Sequence, residues 1–533
     1  MGRQVAHLAS VGAVMAAEPV VTARTTARAA GWSGISTIVL RLGGLAVGVV
    51  IARILTPEQF GVYAVALTVQ SILMTVADLG LSAELIKSSD PERKAPTVAT
   101  LGLVIGALLT LGTVITASTV ADLLGSPAAA PAIMVLAFTL LLGGAGVVPY
   151  AYLQRRFQQR ELFLVSVVDF VISTGVTLVL IAAGWGVLGL AVGRLTAQTA
   201  STTLQFVLAK TPPRFRIDRQ VVRPVLAFGL PIAGANLLSW ALLNVDNVVI
   251  ARIAGPTALG FYVLAFNISN WPMNALSQMV RSVSLPYFAR VDDRAPDAVP
   301  RLVAVAWAGA LPAGALLAVL SASVIQFVYG AKWLPAAPVL AALGIFGGLR
   351  VVFDIFAGFL YARGRSRPVL WVQLVWFVAI VIGMIVATRA YGIVGAGWVH
   401  VVVAVVVILP AYVVALKAAG VRLASIVREA WLPTVAAGVA SVAAALVAYA
   451  LDGALLKLIA GGLAAGIVYL ALMGRWIASG LRALRRGPID DAGDVTLITT
   501  ELEQPNPASD DRTADDQTTD DQTTDDQPVR KSA

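Results

Sequence analysis

Five side chains able to hold a polar ligand recur in one segment: Asn267, Asn270, Asn274, Gln278 and Arg281 stand three, four, four and three residues apart. At that spacing they share one face of an α-helix. Just upstream, Asn236, Ser239, Asn244, Asp246 and Asn247 crowd a second stretch. Amides both donate and accept hydrogen bonds, which is the chemistry that recognises hydroxyl-rich ligands. Arg41 and Arg194 lie in apolar surroundings with no opposite charge on their own segments. A guanidinium facing a cavity can hold a phosphate through paired N–H bonds. The bland alternatives are an amide seam between neighbouring helices and arginines paired with Asp169 or Asp246 on other segments. The residues alone leave both readings open.

Other chemistries are excluded or unsupported. There is no Cys and there are only two His, His7 and His400. Disulfides and Cys-ligated metal are therefore impossible, and a His-built metal centre is not expected. No Gly-Lys-Ser/Thr loop for nucleotide phosphates is present. No acidic cluster sits on a long loop, as a metal-dependent glycosyltransferase would need, and channel-type filter loops are missing. No cofactor is expected.

These residues are carried by a chain built for lipid. Of 533 residues, 58% are hydrophobic and 13% charged, against about a quarter charged in soluble domains. Spans of roughly 20 apolar residues cross a bilayer. Such spans are expected near 33–54, 60–86, 97–120, 129–153, 162–183, 187–209, 225–253, 259–280, 302–329, 335–360, 368–388, 394–416, 431–451 and 454–477. The expected fold is an all-α integral membrane protein with about 14 transmembrane helices.

The net charge of +9 hides a split, because the last 44 residues hold thirteen acids against Arg512, Arg530 and Lys531. The remaining body is strongly basic, and its basic residues fall in alternate loops. Lys87, Arg93 and Lys94 mark one such loop; Arg155, Arg156 and Arg160 the next; then Lys210, Arg214, Arg216, Arg219 and Arg223. The pattern continues through Arg290, Arg294 and Arg301, then Arg363, Arg365 and Arg367, then Lys417, Arg422 and Arg428. Positive loops face the cytoplasm. The charge therefore speaks for topology and not for nucleic acid, and it places both termini of a multi-pass plasma-membrane protein in the cytoplasm.

Other charges within spans have milder readings. Arg350 and Asp354 are four apart and are expected to pair on one helix. Asp78 and Glu84 lie near the cytoplasmic end of their span. His400 is expected to be packed and hydrogen-bonded.

A duplication organises the body. Ala52-Arg53-Ile54, Pro57, Gly61 and Tyr63 recur 199 residues on as Ala251-Arg252-Ile253, Pro256, Gly260 and Tyr262. That offset equals six expected spans, an even number, so both copies insert in one direction, as in a parallel repeat. The expected organisation is a cytoplasmic extension over 1–32, an N-lobe over 33–209 and a cytoplasmic linker over 210–224. A C-lobe over 225–416, two added spans within 431–477 and a disordered acidic tail over 488–533 follow.

Ala52-Arg53-Ile54-Leu55-Thr56-Pro57-Glu58-Gln59-Phe60-Gly61-Val62-Tyr63, with Ala77-Asp78-Leu79-Gly80-Leu81-Ser82, resembles the opening of the polysaccharide transporter (O-antigen flippase) family. This family lies within the multidrug/oligosaccharidyl-lipid/polysaccharide exporter superfamily. Asn244-Val245-Asp246-Asn247, Gly260-Phe261-Tyr262 and Tyr329-Gly330-Ala331-Lys332-Trp333-Leu334-Pro335-Ala336-Ala337 resemble its second half. The resemblance covers roughly residues 33–480.

It implies two helical bundles that alternate between inward-open and outward-open. The implied cargo is an undecaprenyl-diphosphate-linked oligosaccharide. Arg41, Arg194 and Arg281 would then face the diphosphate, and the amides would face the sugars. Expected partners are that lipid-linked oligosaccharide, membrane lipids and polysaccharide polymerase machinery. A Na⁺ or H⁺ gradient or the membrane potential would supply the energy. A drug/cation antiporter of the same superfamily is the main alternative, and it would want a buried carboxylate pair. A membrane-embedded glycan polymerase or ligase would want a large outer loop, and a membrane scaffold would need no arginine within a span.

Overall fold

An unpaired backbone amide in lipid finds no water, so only helices and closed barrels cross a bilayer. The structure, a computed structural model, describes residues 43–212, 214–291 and 295–485, and among these it shows helices and no strand. Residues 1–474 form one compact unit and residues 475–533 a second, of which only 475–485 are described, all helical.

The first half contains α1 (Gly43–Ile54), α2 (Pro57–Asp78), α3 (Leu81–Lys87), α4 (Pro91–Leu123), α5 (Ala130–Arg155), α6 (Gln159–Ala182) and α7 (Gly186–Ala209). The long α8 (Arg219–Val291) follows, then α9 (Ala295–Val319), α10 (Ser321–Val328), α11 (Ala337–Ala362), α12 (Ser366–Val403) and α13 (Leu409–Ala418). Last come α14 (Leu423–Ala450) and α15 (Ala454–Arg485).

Local sequence sets several of these ends. Thr56 Oγ1 accepts from the Gln59 amide at 3.2 Å while Gln59 Oε1 accepts from the Thr56 amide at 3.0 Å. This reciprocal cap, with Pro57 in the first turn, starts α2. Asp90 caps α4 in the same way, accepting from the Arg93 amide at 3.2 Å ahead of Pro91.

The packing is that of a protein in lipid. On α4 the small residues Gly102, Gly106, Thr110, Thr113, Ala117 and Ala121 are buried, while Leu108, Leu111 and Ile115 are exposed. The small stripe lets α5 approach until the Thr110 hydroxyl donates to the Ala137 carbonyl at 2.9 Å. Small residues at helix seams and large ones toward the surroundings suit a solvent as apolar as leucine.

The two copies of the duplicated motif meet. A Cβ at Gly61 would collide with the Pro256 carbonyl, and a Cβ at Gly260 would collide with the Pro57 carbonyl. Only glycine permits backbones this close. Around this crossing Trp333 is fully buried, with Phe60 and Phe261 edge-on at ring separations of 5.4 and 5.9 Å. Its indole donates to the Ala52 carbonyl at 2.9 Å. Lys332 Nζ caps the Arg53 and Leu55 carbonyls at 2.7 Å, and Arg53 donates to the Val328 and Phe327 carbonyls at 2.8 and 2.5 Å. One buried apolar cluster runs from Ala52 through Leu259 and Trp333 to Val421.

Eleven helical runs among the described residues are long and apolar enough to cross a membrane, against the expected fourteen or so. Three local causes account for the difference. The first expected span, 33–54, begins outside the described residues and leaves only Gly43–Ile54. α7 has a span's length of 24 residues but is diluted by Arg194, Gln198, Gln205 and a run of hydroxyls. The expected spans 368–388 and 394–416 run together as Ser366–Ala418, although Gly392 is non-helical (φ 60°, ψ −145°). α8 likewise unites two expected spans across non-helical Gly255 (φ 85°, ψ 175°). The N-terminal extension, the acidic tail, His7 and Arg41 lie outside the described residues.

Candidate functional site

Helices α6 and α7 are joined by a turn with Gly184 at φ 86°, and glycine lets them close together. Gly193 leaves no room for a Cβ against the Thr177 side chain, and a Cβ on Gly189 would stand 3.0 Å from that of Leu180. Arg194 is the residue next to that close approach. Its guanidinium donates through one nitrogen to Asp169 Oδ2 at 2.8 Å, across from α7 to α6. Of the two partners left open by the sequence, Asp169 is therefore the one found. The pair is not sealed, since the side chains keep 34% and 27% of their surface exposed.

What they face is a crevice. A cavity of about 500 Å³ is lined by Arg194, Gln198, Ser201 and Gln205 of α7, by Ser166, Asp169, Ser173 and Thr174 of α6, and by Val47 of α1. A second cavity, of about 180 Å³, shares Gln198 and Gln205 and adds Asp78, Ser82 and Tyr150 over a wall of Gly143, Gly144 and Gly146. Together they form one polar recess inside the first half.

An arginine carries five N–H donors. Those not spent on Asp169 can point into the recess, and the amides and hydroxyls beside it supply both donors and acceptors. An anion entering here gains the guanidinium but also meets the Asp169 carboxylate. Anion binding therefore weakens the ion pair as it forms.

The sequence singled out Arg194 on α7 and missed the rest. Arg194, Gln198, Ser201 and Gln205 are spaced four, three and four apart, the same one-face signature as on α8. Gln198 and Gln205 are scattered among threonines and alanines, and that hid the row.

The α8 residues are divided between several surroundings. Asn267 is exposed and lines a separate cavity of about 300 Å³ with Phe60, Trp271, Tyr329, Gly44 and Gly48. Asn270 and Asn274 are half-buried, and Gln278 is exposed. Arg281 is exposed and bonds Asp354 at 2.9 Å. This corrects the expectation that Asp354 pairs with Arg350. Arg281 reaches across from α8 and places both of its bonds on Oδ1, leaving Oδ2 without a partner. Among the described residues Arg350 forms no ion pair.

Farther up α8, Asn236 is exposed, and Asn244 donates back to the Trp240 carbonyl at 3.0 Å. Asp246 is only 5% exposed. It accepts the Tyr262 hydroxyl at 2.6 Å and the Asn247 amide at 2.9 Å, and Asn247 itself is half-buried. His400, also buried, lies 2.9 Å from the Tyr262 hydroxyl through Nε2. Asp246 thus belongs to a buried polar chain, and none of the cavities described above is lined by it. Glu84 bonds Lys94 at 2.6 Å. Among the described residues no group of three His, Cys, Asp or Glu is placed to hold a metal ion.

Residues 50–338 match the family described as "Polysaccharide biosynthesis protein". The succinoglycan biosynthesis transport protein ExoT of Rhizobium meliloti (strain 1021) is 27% identical over 68% of this chain and 74% of its own length. The lipopolysaccharide biosynthesis protein WzxC of Escherichia coli (strain K12) is 26% identical over 64% of this chain and 70% of its own. Among solved structures, the lipid II flippase MurJ in an inward closed conformation superposes with a TM-score of 0.67, covering 84% of this chain and 99% of MurJ at 14% identity. That likeness is one of fold.

Proposed function

This chain belongs to the polysaccharide biosynthesis protein family, within the polysaccharide transporter branch of the exporter superfamily; from that premise we propose that it is a flippase for a lipid-linked oligosaccharide. It is a transporter and not an enzyme. Its cargo is an oligosaccharide unit on an undecaprenyl-diphosphate carrier, moved from the inner to the outer leaflet by alternating access.

The observation that carries this reading is the polar recess around Arg194. A cation beside a row of amides and hydroxyls is what a diphosphate followed by sugars requires. The exposed guanidinium would meet the phosphates, Gln198 and Gln205 the sugar hydroxyls, and the acyl chain would stay in the bilayer. Arg41 and the exposed members of the α8 row, Asn236, Asn267, Gln278 and Arg281, would line the remainder of the path. Asn244, Asn247, Asn270 and Asn274 would support it from half-buried positions.

The glycine crossing of α2 and α8 would be the outer closure, because the loops at that end carry few positive charges. Its reciprocal form supports a duplicated pair of lobes, 33–209 and 225–416. Both termini would then be cytoplasmic, and the delivered unit would pass to polysaccharide polymerase machinery. An ion gradient or the membrane potential would drive the cycle. The antiporter reading is weaker, since the bonded partners of Asp246 among the described residues are Tyr262 and the Asn247 amide, with no second carboxylate.

The test is export of polymer in cells whose only copy carries Arg194→Ala or Arg41→Ala. Losing a charged hydrogen-bond partner costs about 1.5–3 kcal/mol, so polymer output should fall about tenfold or more, with the protein still present in the membrane. Normal output from both variants would remove the phosphate-binding assignment.

A further inference from the structure

We propose that this protein also carries a separate site for the phosphate headgroup of an anionic membrane phospholipid, at the ends of α4, α5 and α7 where the chain leaves the helices at 210–215. The inference does not rest on the cargo assignment.

A cavity of about 280 Å³ there is lined by Arg156, Lys210, Thr211, Arg214, Tyr152 and Phe215. It shares no residue with the recess around Arg194.

Three features mark it as a site for an anion. First, its cations have no carboxylate partner. Nearby, Arg93 is matched by Asp218 at 3.5 Å and Lys94 by Glu84 at 2.6 Å. Arg156, Lys210 and Arg214 form no ion pair among the described residues. The wall also holds Glu92, so three positive charges against one negative leave an excess of two.

Second, Arg156 is held in place. It donates to the Ala209 carbonyl at 2.9 Å, and its guanidinium lies over the Tyr152 ring at 5.0 Å from the centroid. The N–H groups not used on Ala209 remain for a ligand.

Third, Thr211 Oγ1 is buried without a hydrogen-bond partner. A buried hydroxyl left unpaired is costly, and a phosphate oxygen in the cavity would accept its proton.

The rim favours a lipid as the source of that phosphate. Phe215 and Ile217 are more than half exposed in the same connecting stretch. Apolar side chains beside a basic pocket at a helix end suit the level where headgroup gives way to acyl chain. Basic pockets between membrane helices on the cytoplasmic side recognise anionic headgroups on this principle. The resident ligand is accordingly an anionic glycerophospholipid, and its contribution would be to fix the linker between the two halves against the first half.

The test uses the full-length protein in nanodiscs of phosphatidylcholine with a minority of phosphatidylglycerol, and lipids retained after mild delipidation are counted by native mass spectrometry. The wild type should keep phosphatidylglycerol in preference to phosphatidylcholine. The triple variant Arg156→Gln, Lys210→Gln, Arg214→Gln should lose about tenfold or more of that retention, at about 1 kcal/mol per removed cation. Thr211→Val, a milder change that keeps every charge, should lose part of it. Lys417→Gln with Arg428→Gln, which removes two exposed cations elsewhere, should lose none.

Equal retention by wild type and triple variant overturns the proposal, as does equal retention of the two lipids by the wild type. Displacement of phosphatidylglycerol by polyprenyl diphosphate at equal mole fraction would reassign the pocket to the cargo and overturn the resident lipid. Displacement by inorganic phosphate at millimolar concentration would show that the acyl part adds nothing and overturn the lipid assignment.

Discussion

Tyr262 has a single hydroxyl proton, and the 2.6 Å bond to Asp246 uses it. The contact with His400 Nε2 at 2.9 Å must then be donated by the imidazole, which fixes the protonated nitrogen as Nε2. A directed chain results, from His400 through Tyr262 to Asp246. It links a residue of α12 to both arms of α8. Removing the middle member strands two buried groups at once. Tyr262→Phe should therefore cost about 1–3 kcal/mol of stability, seen as a lower melting temperature of the purified protein in detergent. Asp246→Asn on that background should cost less than it does alone, because the bond it would break is already gone. An unchanged melting temperature in Tyr262→Phe would show that the chain is not holding α8 to α12.

At the scale of elements, the helical architecture was legible because its cause is local. Apolar runs, Thr56 and Asp90 caps and loop arginines all speak within a few residues of where they act. The breaks inside long helices were harder to place, since Gly255 and Gly392 end nothing and only bend a continuing hydrogen-bonded run. The site was half legible. Arg194 and its option of Asp169 could be named from sequence, but the row Gln198, Ser201 and Gln205 gained meaning only when α6 and α5 closed around it. Burial of Asp246 was invisible because a partner of its chain lies 138 residues from Tyr262.

The glycine crossing is an element-scale feature with its own consequence. Gly61→Leu or Gly260→Leu puts a side chain where the opposing carbonyl stands, so α2 and α8 must separate. The chain has no cysteine, which makes a single reporter clean. Ala52→Cys, fully buried beneath Trp333 in the closed crossing, should react slowly with a maleimide and severalfold faster in the Gly61→Leu background. Equal rates would mean that the glycines do not set the closure.

For the whole molecule, loop charge and helix order make one joint prediction about sidedness. Basic loops alternate with nearly neutral ones along the chain, and a single missed or extra crossing would put a cluster such as Arg363, Arg365 and Arg367 on the same side as a neutral turn. The exposed turn at Gly184 and Trp185 joins α6 to α7, and the exposed turn at Gly364 and Arg365 joins α11 to α12. If positive loops stay in the cytoplasm, Trp185→Cys should be labelled in intact cells by a membrane-impermeant maleimide. Arg365→Cys should be labelled only after the membrane is opened. Labelling of both from outside would break the alternation between them, and with it the inference that the Arg53–Gly61 end of the molecule is the outer closure. Labelling of Trp185→Cys alone would place the glycine crossing outside, and a flippase whose structure is closed there must load its cargo from the cytoplasmic leaflet.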